Sequence, residues 1–390
     1  MKKSDPAGAG RLIYAASNTC APLLYESGFN AEDPFLWFSC PKMTATVVSS
    51  LELGRARKQG RRTVAVLDRE KLRQELGLPP ANAQKMGTIP FPVRQILDVS
   101  EAMGTTCWQV PGDFPLALAN RLTAQGITLA TVDDFCPGRR VKSAHEVDCI
   151  RHAQRLAEAG LDRADQILRE SAVGDDGFLR WHDAVLTAEI LRGELNAEIV
   201  RRGGIPTGTI TAPGTQGADP HQAGTGPIAA NVPIVMDIFP RDEQSGYFGD
   251  LTRTRVKGHA ADEVRRAYKT VLAAQLQVLE ALRPGLPASQ FHQMAAGYFK
   301  ECGYNTAWDA SANAYHGFFH GLGHSVGLEI HEEPSLRPPD HTLLEAGHVV
   351  TVEPGLYYPS WGGIRIEDTV AITGDGIDNL TIAGKFLEID

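Results

Sequence analysis

Four acidic residues occupy places where a carboxylate is costly. Asp237 interrupts the apolar run IVMDIF, and Glu353 closes the apolar run HVVTVE. An unpartnered carboxylate in such surroundings carries a large desolvation penalty. Asp250 in GDLTRT and Glu367 in GIRIED stand in two further β-like runs. Between them lies HGFFHGLGHSVGLEIHEEP (316–334), where His316, His320, His324 and His331 are interleaved with glycines. An HxxxH pair at His320 and His324 could bind zinc from one face of a helix, but the glutamate of HExxH is missing and glycines weaken a helix. An extended or looped backbone is expected, with glycines allowing close approach. Carboxylates plus one or two imidazoles, without thiolate, suit Mn²⁺, Co²⁺, Fe²⁺ or Zn²⁺. Four carboxylates exceed what one divalent ion neutralises. Two ions sharing bridging carboxylates would balance them, and such a pair activates water for hydrolysis. The residue types thus point to a binuclear metallohydrolase. The competing local reading pairs Asp237 with Arg253 or Arg255 and leaves Arg365 and Glu367 as a surface pair.

The positioning elements are read from pattern. VPIVMDIF (232–239) and YFGDLTRTRV (247–256) read as strands joined by the polar turn PRDEQSG. Side chains alternate along a strand, which puts Asp250, Thr252 and Thr254 on one face. HVVTVE and GIRIEDTVAI read as two more strands, with Arg365, Glu367 and Thr369 sharing a face of the second. Ser143, three residues before Glu146, forms a capping-box signature. Behind it Ile150, Ala153, Ala157, Leu161, Ala164 and Leu168 recur at helical spacing. Helices are also expected around 183–201, 261–282 and 287–301. The elements are not in strict βαβ order, so α+β is favoured for this part. The first third alternates strands (TATVVSS, RTVAVLD, ITLATVDDF) with helices (DREKLRQELG, DFPLALANRLTAQG), an α/β pattern. A boundary near 136–142 divides a 1–140 domain from a 141–390 domain.

The chain has 390 residues, 43% of them hydrophobic and 22% charged, with a net charge of −9. Two domains are the natural division of that length. The negative balance argues against nucleic-acid binding, which favours a basic face. Six cysteines at 20, 40, 107, 136, 149 and 302 form no CxxC pair, consistent with reduced thiols. MKKSDPAGAG is basic but has no apolar segment behind it, and no run of about 18 apolar residues occurs. No secretory signal, no membrane association and a cytoplasmic location are expected.

The strings GDLTRT, HGLGHSVGLEIHEEP, TVEPGLYY and GGIRIED, in that order, resemble the pita-bread metallopeptidases. That family includes methionine aminopeptidase, aminopeptidase P and prolidase. The resemblance runs from about residue 143 to the end. The leading domain, with LLYESGFNAEDPFLWF, is similar to the N-terminal domain of the creatinase, prolidase and aminopeptidase P branch. The resemblance implies a C-terminal pita-bread (creatinase/aminopeptidase) fold after a smaller α/β domain. It implies an exopeptidase that hydrolyses Xaa-Pro bonds of peptides with proline second, using water activated by a binuclear metal centre. It gives the ligands as Asp237, Asp250, His324, Glu353 and Glu367, with Asp250 and Glu367 bridging two divalent ions, Mn²⁺ first and Co²⁺, Zn²⁺ or Fe²⁺ as alternatives. It makes Glu353 the general base as well. His331 is placed at the tetrahedral intermediate and His221 on the substrate side, with His320 and Arg365 as orienting or substrate-positioning groups. Ile330 and Tyr357 match the proline pocket, His316 is left structural, and a homodimer is expected. Two features depart from the family: the Asp237–Asp250 interval is two residues longer than usual, and Phe239 replaces a glycine. An even insertion keeps Asp250 on its face of a strand. A creatinase-like, metal-independent amidinohydrolase and a non-catalytic pita-bread binding protein are the alternatives; both are typified by lost ligands, and all five ligand types are present here. The short Glu353–Glu367 connection looks more like prolidase than aminopeptidase P.

Overall fold

The computed structural model describes residues 9–80 and 89–390, so most of MKKSDPAGAG lies outside the described residues. The chain divides into two compact units, Met1–Arg139 and Arg140–Asp390. The first is a six-stranded mixed sheet in the order β4-β3-β2-β1-β5-β6. Its strands are β1 (Gly10–Ala15), β2 (Phe35–Cys40), β3 (Met43–Val48), β4 (Ala65–Asp68), β5 (Cys107–Pro111) and β6 (Thr128–Val132). Leu12, Leu36 and Phe38 enter one apolar cluster, while Ile13, Phe35 and Trp37 enter another. Burial on both faces is why FLWF is a continuous apolar run, a pattern that hides strand periodicity.

The second unit opens with the helix Ala144–Glu170. Ser143 and Glu146 make the reciprocal capping box, and all six residues of the expected apolar stripe are buried. A small sheet comes next, of β7 (Ala172–Val173), β8 (Leu179–Trp181) and β9 (Ala184–Val185). The next helix is Ala188–Arg201, so its expected start at 183 is corrected: Ala184–Val185 is strand, and Thr187 caps the helix through Ile190 N. β10 (Gly204–Ile205) pairs with β13 (Arg241–Asp242). β11 (Ile210–Pro213), β12 (Ile234–Ile238), β14 (Leu251–Lys257) and β24 (Glu388–Ile389) form a four-stranded sheet. The expected 232–256 hairpin is therefore more open than read. The second long strand begins only at Leu251, and the connection carries β13.

After the helices Asp262–Ala281 and Ala288–Glu301 comes the two-stranded hairpin β15 (Ala307–Asp309) and β16 (Ala314–His316). β17 (Gly323–Ser325), β18 (Glu332–Leu336), β19 (Val349–Val352), β22 (Asp368–Ile372) and β23 (Ile377–Asn379) build a five-stranded sheet, ordered β18-β17-β19-β22-β23. β20 (Gly355–Tyr358) pairs with β21 (Gly362–Arg365). GIRIEDTVAI is thus two strands, broken at Ile366–Glu367. Helices cover these sheets. Ala157, Leu161 and Leu195 pack with Ile234, Met236 and Ile238. Val271, Val278 and Phe291 pack with Val350, Val352 and Ile364.

β14 is buried along its whole length, including Arg253 and Arg255. Arg253 donates to Asp368 Oδ1 at 2.8 Å and to the carbonyl of Ala383 at 2.8 Å. Arg255 forks onto Asp165 at 3.0 and 3.1 Å and donates to the Phe386 carbonyl at 2.7 Å. These guanidiniums fasten the C-terminal segment and, through Asp165, the Ala144–Glu170 helix to the strand that begins just after Asp250. Removing one member of a buried pair leaves an uncompensated charge. Asp165→Ala is expected to cost about 3–5 kcal/mol in denaturant unfolding of the second unit. The double variant Asp165→Ala/Arg255→Met is expected to recover part of that loss; a loss under about 1 kcal/mol for the single variant would contradict a structural role.

Candidate metal centre and active site

The four acids and His324 converge from five separate places in the fold. Asp237 lies on β12, opposite Thr252 in the ladder. Asp250 immediately precedes β14, and its backbone is clamped by Gln154, which accepts from Asp250 N and donates to Asp250 O, both at 2.9 Å. Glu367 sits in the break between β21 and β22, Glu353 just beyond β19, and His324 within β17. The register of β17 against β18 shifts between His324 and Ser325. Such irregularities re-aim side chains at the rim of a sheet. A Cβ on Gly323 would lie 2.0 Å from the Thr351 carbonyl. Only glycine lets the histidine strand approach β19 this closely.

Ligand atoms of Asp250, His324 and Glu367 all lie within 4.8 Å of one another. His324 Nε2 is 3.3 Å from Glu353 Oε1 and 3.6 Å from Asp250 Oδ2. His324 Nδ1 is 3.2 Å from the Ser325 carbonyl. Donation there fixes the tautomer with Nε2 facing the carboxylates, the form a metal ligand needs. Two threonines orient the acids. Thr252 Oγ1 accepts from Arg365 Nε at 3.0 Å and donates to Glu367 Oε2 at 2.7 Å. Thr351 Oγ1 accepts from His324 N at 3.0 Å and donates to Glu353 Oε1 at 3.1 Å.

Arg365 is buried and donates to Asp237 Oδ2 at 2.7 Å and to the Tyr357 hydroxyl at 2.8 Å. Asp237 therefore pairs with Arg365; Arg253 and Arg255 have other partners, and Arg365 and Glu367 are not a surface pair. Tyr357 in turn donates to His320 Nε2 at 3.0 Å, while His320 Nδ1 donates to the Gly321 carbonyl at 2.7 Å. Burial holds the His320 imidazole neutral, its pKa lowered to about 4, and pushes the Tyr357 hydroxyl up to about 12. His331 is exposed with its ring 4.3 Å from that of His324, and His221, also exposed, is close enough to His331 to influence its charge. Ile330 is half-buried and directly precedes His331. His316 packs with a tilted ring at 5.3 Å against Tyr358, outside this group.

Charge decides what the cluster requires. Burial and mutual repulsion with Glu367, Asp237 and Glu353 push the Asp250 carboxyl well above its usual range. Glu367 is pushed well above its range likewise, by burial and by Glu353 and Asp237. Burial acts on Glu353 in the same sense, but His324 beside it brings its carboxyl down to about 2. Asp237 is raised by burial despite Arg365. Four acids around one fixed guanidinium cannot all ionise without further positive charge. This donor set and its charge deficit fit divalent metal.

Residues 148–374 match the model of metallopeptidase family M24. A Xaa-Pro dipeptidase of Pyrococcus furiosus is 30% identical over 322 residues, 82% of this chain and 83% of the relative. The chain belongs to metallopeptidase family M24. Its fold agrees: the prolidase structure from Pyrococcus furiosus superposes with a TM-score of 0.74 at 25% identity, covering 97% of each chain. An X-Pro aminopeptidase structure from Thermotoga maritima shares the fold with a TM-score of 0.80 at 22% identity, covering 98% of each chain. The second unit is the pita-bread domain of an M24 metallopeptidase, in an α+β arrangement preceded by the smaller sheet domain. Enzymes of this family use divalent metal ions.

Thr252, Thr351 and Gln154 were not singled out by sequence reasoning. Thr252 had a signal, its shared face with Asp250, and Thr351 had the same one, two residues before Glu353; Gln154 had none, since its partners are remote. Because Asp250 and Glu367 are protonated more readily than ordinary carboxyls when no metal is bound, metal binding must displace those protons. Titration of the metal-free protein with Mn²⁺ at neutral pH, in two buffers of different ionisation enthalpy, is expected to show proton release and an affinity that rises with pH. A buffer-independent heat, or affinity that falls with pH, would contradict this charge account.

Proposed function

We propose that this M24 metallopeptidase is an exopeptidase cleaving the bond before proline in peptides with proline second. Two divalent ions would be held by Asp237, Asp250, His324, Glu353 and Glu367, with Asp250 and Glu367 shared. The observation that carries the binuclear reading is the charge deficit: four convergent carboxylates, with Arg365 the one guanidinium bonded to them among the described residues. The donor chemistry suits Mn²⁺ first, with Co²⁺, Zn²⁺ and Fe²⁺ alternatives. The proline preference rests on the names of the relatives, a Xaa-Pro dipeptidase and a prolidase. All five ligand types present at one site favour this over a creatinase-like amidinohydrolase or a binding protein.

Bound there, divalent ions supply Lewis-acid polarisation of the scissile carbonyl and acidification of the attacking water. The chain's own groups do the rest. Glu353 Oε1 is held by Thr351 and His324, and Oε2 has no hydrogen bond among the described residues, which leaves it to take the proton of the attacking water. His331, exposed beside His324, faces the substrate and donates to the developing oxyanion. His221 approaches from the same open side. His320 and Tyr357 hold Arg365, which fixes Asp237. Ile330 and Tyr357 line the space for proline.

No described helix is long and apolar enough to cross a membrane, and none of the six cysteines is in a disulfide. A cytoplasmic location and a homodimer are part of the same proposal. Ala-Pro and Ala-Pro-Gly are the discriminating substrates. With Mn²⁺ at least one is expected to be hydrolysed, with activity lost to chelator. Glu353→Gln is expected to lower kcat by more than about 100-fold while the fold, read by circular dichroism, is kept. Hydrolysis of Ala-Gly but neither proline peptide would contradict the specificity, and an active Glu353→Gln enzyme would contradict the base.

A further inference from the structure

An aromatic ladder leads outward from the site. Phe319 packs on Tyr357 at 5.4 Å between ring centroids, Tyr315 on Phe319 at 6.0 Å, and Trp308 edge-on to Tyr315 at 5.1 Å. Phe319 is half-buried, whereas Tyr315 and Trp308 are 53% and 51% exposed. The outer rings are displayed by a built element. Trp308 and Tyr315 face each other across the β15–β16 hairpin. Its turn is closed by Asp309, which accepts from Ser311 N at 2.8 Å, Ser311 Oγ at 2.6 Å and Ala312 N at 3.3 Å.

The hairpin is bonded straight onto the strand that carries Tyr357. Gly317 N donates to the Tyr357 carbonyl at 2.9 Å, and Tyr357 N donates to the Gly317 carbonyl at 3.1 Å. Gly317 has φ +94°, and a Cβ there would meet the Asn305 carbonyl at 2.6 Å. Thr306 Oγ1 closes the base, donating to Phe318 O at 2.8 Å and accepting from Phe318 N at 3.1 Å. Exposed aromatics on a rigid support, continuous with a substrate pocket, mark a binding surface.

We propose that Trp308, Tyr315 and Phe319 form a subsite for an apolar or aromatic side chain on the residue after proline. The proposal rests on the Xaa-Pro reading and deepens it: the enzyme takes peptides longer than dipeptides and favours those with a bulky apolar third residue. Continuity identifies the occupant. The ladder starts at Tyr357, which lines the proline pocket, and an extended peptide advances about 3.3 Å per residue. The backbone of the first residue past proline therefore falls short of Phe319, 5.4 Å from Tyr357, and only a bulky side chain on that residue reaches Phe319 and the rings beyond. Ring–ring contact supplies the preference.

The test compares kcat/KM for Ala-Pro-Gly and Ala-Pro-Phe in the full-length Mn²⁺ enzyme and in Trp308→Ala/Tyr315→Ala. Both replaced side chains are half exposed, so the variant is expected to fold, checked by an unchanged unfolding temperature. Wild type is expected to favour Ala-Pro-Phe about tenfold, mainly through KM, and the variant to lose that preference while cleaving Ala-Pro-Gly as before. If both peptides are cut equally by wild type, or the preference survives in the variant, the subsite is overturned and the Xaa-Pro reading stands. If neither tripeptide is cut but Ala-Pro is, the subsite is overturned and the Xaa-Pro reading stands; if Ala-Pro is not cut either, the Xaa-Pro reading fails and the subsite with it. A dimeric wild type that becomes monomeric in the variant would make the ladder a subunit contact and overturn the proposal. For a variant that unfolds, Trp308→Phe/Tyr315→Phe replaces it: retained preference supports an aromatic surface, and a lost one overturns it.

Discussion

The repulsion among Asp237, Asp250, Glu353 and Glu367 is the constraint on which the rest of the second unit depends. Four acids with little exposure to water repel one another strongly in a medium that screens charge poorly. Their nearest cationic relief in the protein itself is Arg365, with His324 beside Glu353. The architecture answers by holding each acid at a strand end or strand break or facing a threonine across the ladder. Where a neutral hydroxyl ties one oxygen, the other is left for a cation. Thr252 does this for Glu367. The arrangement is poor as a means of stabilising a fold and well suited to binding divalent ions.

Holding repelling groups together requires rigid support, and that support is also polar. Arg253 and Arg255 are wholly buried but fully engaged, and they tie β14 to Asp368, Asp165 and the carbonyls of the C-terminal segment. Lys142, at the start of the second unit, is buried and donates to Ser325 Oγ at 2.7 Å and Glu332 Oε2 at 3.1 Å. It ties Ser325, next to His324, to Glu332, next to His331. Buried polar networks of this kind act at full strength only when every member is satisfied.

Much of the site was legible because the chemistry demands unusual residues in unusual places. A carboxylate inside IVMDIF or at the end of HVVTVE contradicts the local pattern, and that contradiction carried the signal. The order of the strings then pointed to the family. The helices were legible through capping and spacing, as at Ser143 and Ile150. Long-range partnership could not be read. Nothing local to Asp237 says that its guanidinium comes from Arg365 rather than Arg253, since both arginines lie in β-like runs. The break at Ile366–Glu367 was hidden because both halves of GIRIEDTVAI have β character. The start of β14 at Leu251 was hidden because YFG is as strand-like as LTRTRV. FLWF was silent because a strand buried on both faces has no alternation.

The most direct test of the central claim is metal stoichiometry. After reconstitution with excess Mn²⁺ and removal of unbound ion, elemental analysis is expected to give two ions per wild-type chain and fewer in Asp237→Asn and Asp250→Asn. A folded wild-type chain that retains no divalent ion and still hydrolyses peptides would contradict the account.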